Sequence, residues 1–425
     1  MRSRTGLVVL VMLALGAAAC DSNTANRSSS PPTTQASGHP AEHQGAAPAT
    51  TPKELAAELE QYFAQHTLIA VRQMRSVLTA TPDYRKAADG ELQEYTEELG
   101  QVVAAAYGDA QGDRFKQIWQ RGITDFSSYA DAVAANDASA KQQARAALLA
   151  DADAYGSWLA EASNGRAKAS DAATVMRTHV EQLMAQADAY AAHDYAKAYQ
   201  VEREAYEHMF TAGTSLAKAS LAPKAAAAID APAEKLRAAF AMLLGEHMQL
   251  VIDTQRATFA GAPEFKAAAA QVNANTTALT KGMGAIVGPK KATEFEDAWA
   301  EHVEGLLDYS TAVASNDEAA KTAARQEMRG YGARLALYLS DVVRNEVPLE
   351  PLTNALGEHD QHLVDQVNAY AEKRYGEAQE TEIHGYEQML GVANTLVAAI
   401  QKTVKPQLPV GGSQTGGGGT ANRRR

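Results

Sequence analysis

Cysteine is almost missing from this chain: a single residue, Cys20, in 425. An intramolecular disulfide is therefore impossible, and so are the paired-cysteine motifs that hold structural zinc or attach haem covalently. Aromatic residues are scarce at 6%, with three Trp, so the core must be assembled largely from small aliphatic side chains. Basic charge is in deficit: 51 Asp and Glu against 39 Lys and Arg leave a formal net charge of −12. Affinity for a nucleic-acid backbone rests on clustered Lys and Arg. The only such local run is Arg423, Arg424 and Arg425, so no nucleic-acid partner is expected. Sustained period-two alternation, the mark of half-buried strands, is absent. Long apolar runs are absent too: Leu7–Leu15 falls short of the ~20 residues a spanning helix needs.

Familiar catalytic signatures are also missing. There is no His-Glu-x-x-His, no Gly-x-Ser-x-Gly and no phosphate-cradling glycine loop opening a helix. The paired Glu-x-x-His motifs of di-iron bundles are not supplied either. Catalysis has no positive support in the sequence, and a binding or structural role is expected.

Alanine, the best helix former, fills much of the 46% hydrophobic content, which favours an all-helical protein. At the N-terminus, Arg2 and Arg4 precede the apolar run, small residues Gly16–Ala19 follow, and Cys20 comes next. That order reads as a secretory signal over residues 1–19. Cysteine directly after the small residues resembles the bacterial lipobox, which implies acylation of Cys20 and anchorage to a membrane of an exported protein. Ala17 stands where leucine is usual. Residues 20–52 are mostly Ser, Thr, Pro, Ala and Gly and read as a tether; His39 and His43 within it are expected to be solvated linker residues. Residues 405–425 read as a disordered tail.

Between the tails the chain repeats itself. "HVEQLMAQADAYAAHDYAKAYQVEREAYEHM" from His179 aligns without a gap with "HDQHLVDQVNAYAEKRYGEAQETEIHGYEQM" from His359. Gln65–Tyr84 aligns with Glu246–Phe265, and Phe115–Lys141 with Phe295–Lys321. Self-similarity at a nearly fixed offset across three blocks means internal duplication. The expectation is an all-α chain of two tandem homologous bundle domains, residues 53–222 and 232–404, each of six helices in three hairpins. Pro82 and Asn136-Asp137 mark turns and caps in the first copy. The join is expected near residues 220–232, where Pro223 and Pro232 flank alanines.

Spacing gives the repeated histidines a meaning. If the three hairpins stand side by side, residues equally far from their turns lie at one height, because a helix rises ~1.5 Å per residue. His247, His302, His359, His362 and His384 in the second copy fall in one or two adjacent layers. So do His66, His179 and His208 in the first. Helical bundles build metal sites from inward side chains at one level. Neutral imidazole suits copper, zinc, nickel and iron, and nearby Met209, Met248 and Met389 would add donors that favour copper(I). The copies differ: His302 corresponds to Gly122, His362 to Gln182, His384 to Glu204, and His208 to Gln388. The second copy is therefore the better candidate. A second reading stays open, in which the histidines form a polar packing layer inside a structural or protein-interaction module.

The pattern of "EH" on the first helix, "W..H" on the third, "H..QL" or "H..HL" on the fifth and "Y..DY..AY...REAY.HM" across the last hairpin resembles a family of secreted bacterial helical-repeat proteins. The resemblance covers roughly residues 53–402. Members often carry copper-amine-oxidase-like labels, and the family has no established activity. The resemblance implies a cell-envelope helical protein linked to metal. It does not imply amine oxidation, because those enzymes are β-rich and use a Tyr-derived quinone beside a His-x-His pair.

Overall fold

Alanine-rich segments broken by Pro, Asn-Asp and Gly become separate helices with short joints. The computed structural model describes residues 51–403, and every regular element among them is helical. In chain order these are α1 (Pro52–Leu78), α2 (Pro82–Tyr107), α3 (Asp109–Ala134), α4 (Ala138–Ala162), α5 (Ala169–Ala191), α6 (Tyr195–Ser220) and α7 (Pro223–Ala226). They continue as α8 (Pro232–Ala260), α9 (Phe265–Val287), α10 (Pro289–Ser315), α11 (Glu318–Val342), α12 (Leu349–Ala371) and α13 (Tyr375–Thr403). The all-helical expectation holds for the described residues. The four-residue α7 is an addition: Pro223 opens a single turn among the alanines of the expected join. The expected leader, Cys20, the tether up to residue 50 and the tail from residue 404 lie outside the described residues.

Local chemistry sets the helix ends. Thr51 and Glu54 form a reciprocal capping box at the start of α1, satisfying two otherwise unpaired amides. Asp137 accepts from the amides of Ser139 and Ala140, and Asp317 from that of Ala320. The preceding Asn136 and Asn316 take left-handed φ values of 52° and 53°, which Asn tolerates better than most residues.

Two helices are enclosed. α1 is buried without interruption from Tyr62 to Ser76, and α8 from Leu244 to Ala257. α1 packs against α2, α3, α5 and α6, and α8 packs against α9, α10, α12 and α13. No helix among the described residues is long and apolar enough to cross a membrane.

Burial on every side brings polar groups of α1 and α8 inside, where they must find partners. They find them where the two halves meet. Arg75 bonds Asp253 at 2.8 Å and also pairs with Glu202. Arg256 reaches Glu382 at 3.1 Å and the Tyr84 hydroxyl at 2.8 Å, while Arg72 contacts Glu382 and Gln249. Arg75 lies over the rings of Tyr190 and Tyr199, and Arg256 over those of Tyr84 and Tyr370. Nearby, the hydroxyls of Tyr206 and Tyr386 meet at 2.9 Å. A side chain on Gly245 would come within 2.6 Å of both tyrosines, so this close approach requires glycine.

Candidate metal centre

Three helices around the second half's core each bring one histidine to a common point. His247 sits on α8, His302 on α10 and His359 on α12. One ring nitrogen of each lies within 4.8 Å of those of the other two. The ring centroids are 5.9 Å apart for His247–His302 and His247–His359, and 5.5 Å for His302–His359. Relative exposures are 0%, 4% and 1%, so the three rings are shut off from bulk solvent.

Burial holds all three rings neutral. It pushes His302 down to about 4 and holds His247 and His359 well below the ordinary imidazole range. A neutral ring offers a lone pair, which is the form a metal needs. Both nitrogens of His247, both of His359 and Nε2 of His302 are buried without a hydrogen-bond partner. Each such orphan costs ~1–3 kcal/mol in a protein interior. A purely structural polar layer would be bonded to Tyr, Glu or backbone groups; these rings face one another instead. The cluster is therefore capable of coordinating a metal ion.

A carboxyl group supports one ligand from behind. Asp360 Oδ1 lies 3.2 Å from His302 Nδ1, while His302 Nε2 is buried without a partner. Burial raises Asp360 to about 8, so the two face each other as neutral groups at pH 7. Groups behind ligating histidines fix ring orientation and tautomer. The Trp299 ring packs against that of His247, tilted by 56° with centroids 4.5 Å apart.

The first half uses the equivalent positions differently. His66 and His179 are buried with ring centroids 6.1 Å apart, and burial drives His66 down to about 3. Trp119 Nε1 donates to His66 Nδ1 at 3.2 Å, a bond its counterpart Trp299 does not make. The position of His302 is taken by Gly122, and a cavity of about 50 Å³ opens there, lined by His66, Trp119, Gly122 and His179 among others. His208 turns Nε2 to the Val175 carbonyl at 2.8 Å. In the second half, His362 and His384 are half-buried on α12 and α13, outside the triad.

No family model matches the chain, and neither does any curated protein or solved structure.

Spacing along the helices marks out His247, His302 and His359 but not Asp360, whose carboxyl reads from sequence as one more helix-surface acid. Arg75 and Arg256 align with each other across the repeat, and that alignment is the sequence signal that singles them out.

Proposed function

We propose that this chain is an exported, lipid-anchored protein that binds one transition-metal ion, copper(I) by preference, through His247, His302 and His359. The observation that carries the reading is the triad itself: three neutral, buried imidazoles whose nitrogens lie within 4.8 Å of one another and lack protein partners. Such a donor set suits copper, zinc, nickel or iron. Charge narrows the choice, because the ligands are neutral and Asp360 stands behind His302 rather than facing the ion. The full ionic charge stays in a low-dielectric interior, and that cost falls steeply as the charge decreases. A monovalent ion content with three ligands is favoured over zinc(II) or iron(II).

The architecture fits a gene duplication in which two six-helix units kept a common plan and only one kept the full donor set. Tyr206 and Tyr386, aligned in the repeat, bond each other, as residues beside a two-fold axis do. The ion pairs Arg75–Glu202 and Arg256–Glu382 likewise join aligned positions. Anchorage rests on the signal-like residues 1–19 and on Cys20, whose acyl chains would hold the bundles at a membrane surface.

The test is anaerobic equilibrium dialysis of the full chain, without a histidine tag, against copper(I), zinc(II), iron(II) and nickel(II). One copper per chain is expected, with none in His302→Ala. Equal retention in that variant would remove the site. Retention of zinc in preference to copper would remove the charge argument while leaving the triad.

A further inference from the structure

A fully buried triad needs a route by which an ion reaches it. On α12, His362 lies one turn beyond His359, and residues three apart share a helix face. His359 is 1% exposed, whereas His362 and His384 are only half-buried. The contact between α12 and α13 at this level is close. A Cβ placed on Gly385, next to His384, would lie 3.1 Å from His362 Cβ and 3.4 Å from the Met248 sulfur. Met248 is the chain neighbour of His247. His362 and the Met248 thioether thus meet opposite Gly385, and half-buried His384 is the next residue on α13.

The surrounding charges have the sign that attracts a cation. Glu358 and Asp365 stand four residues before and three residues after His362 on α12, so all three share one helix face. The first half supplies a control within the same chain. It lacks the third triad member, with Gly122 in its place, and it lacks both outer histidines, with Gln182 and Glu204 in theirs. Donors of a separate function need not vanish together; donors of one route would.

We propose that His384, His362 and the Met248 thioether form the loading route of the metal centre, capturing a soft monovalent cation at the acidic α12–α13 seam and passing it to His359. Each step exchanges one neutral donor for another on the same ion, so no electron or proton is transferred. The route rests on the metal-binding reading of the triad, and it concerns rate where the triad concerns equilibrium. A donor on the route lowers the barrier in both directions and leaves the affinity of the final site unchanged.

The experiment offers the full chain copper(I) as its bicinchoninate complex, anaerobically, and follows loss of the complex's colour. Wild type, His362→Gln/His384→Gln, His384→Gln alone and His302→Ala are compared, with helicity checked by circular dichroism. The double variant is expected to bind one copper at equilibrium but to load at least about tenfold more slowly, the change a barrier higher by ~1.4 kcal/mol produces. Release to excess chelator should slow by the same factor. Loading within twofold of wild type would overturn the route. Loss of stoichiometry in a folded double variant would overturn it too, because the outer histidines would then be ligands of the final site. Copper uptake by His302→Ala equal to wild type, or no uptake by wild type, would instead refute the triad and the route with it.

Discussion

Placing a histidine at Gly122 should create a second metal site in the first half. A Cβ at Gly122 meets nothing within 4 Å, and the cavity of about 50 Å³ beside it is bordered by His66 and His179. Those rings are 6.1 Å apart, against 5.9 Å for their counterparts His247 and His359. Trp119 occupies Nδ1 of His66, which leaves Nε2 for an ion. Replacing a glycine in the interior of α3 by histidine favours the helix by about 0.3 kcal/mol, which offsets a small part of the cost of burying another imidazole. Metal-free Gly122→His should therefore stay folded. With free copper at a hundred times the dissociation constant, the new site adds ~2.7 kcal/mol of stability. At roughly 1.4 °C per kcal/mol for a folded region of this size, the thermal midpoint should rise by ~4 °C beyond the wild-type response. Copper content after desalting gives the direct readout. Wild type should keep one ion, Gly122→His two, His302→Ala none, and the Gly122→His/His302→Ala double variant one. A folded Gly122→His chain that keeps only one ion would refute the claim that three imidazoles in this geometry suffice.

Other consequences follow from the same contacts. Asp360→Asn should weaken copper binding by roughly 10–100-fold, the usual effect of losing a group that orients a ligating histidine; competition with bicinchoninate would measure it, and an unchanged constant would deny Asp360 its role. Arg75→Met leaves Glu202 and Asp253 buried beside an apolar side chain, so it should cost ~3–5 kcal/mol. Because Arg75 joins both halves, urea unfolding followed by tryptophan fluorescence should show Trp119 and Trp299 losing stability together. Acid should destabilise the metal-free protein through His66, held at about 3 in the fold and titrating near 6.5 when unfolded. The unfolded chain takes up the proton first, so this contribution is complete above pH 6.5 and is lost as pH falls toward 3. The loss is ~1.4 kcal/mol per unit. Comparing urea midpoints at pH 7 and 4.5, His66→Gln should lose ~2.7 kcal/mol less than wild type.

The fold was legible because helix signals are local. Pro82, Asn136-Asp137 and Asn316-Asp317 end and begin helices by their own backbone preferences, and the structure breaks where they stand. The triad was legible because a fixed rise per residue converts spacing into height, and height selected His247, His302 and His359. Height does not give direction around a helix. His362 and His384 passed the same filter, yet they lie outside the cluster on the α12–α13 seam. Asp360 could not be found this way, since only tertiary packing separates a buried carboxyl from the many exposed ones. The seam between the halves was hidden for a related reason: Arg72, Arg75, Asp253 and Arg256 read as solvated charges until α1 and α8 are seen to be enclosed.

Anomalous diffraction at the copper edge, from crystals of the copper(I)-loaded full chain, would locate the ion itself. One strong peak per chain is expected, within bonding distance of a nitrogen of each of His247, His302 and His359, with none at His66 and His179. A peak elsewhere, or no peak from protein that has been exposed to excess copper, would contradict that expectation.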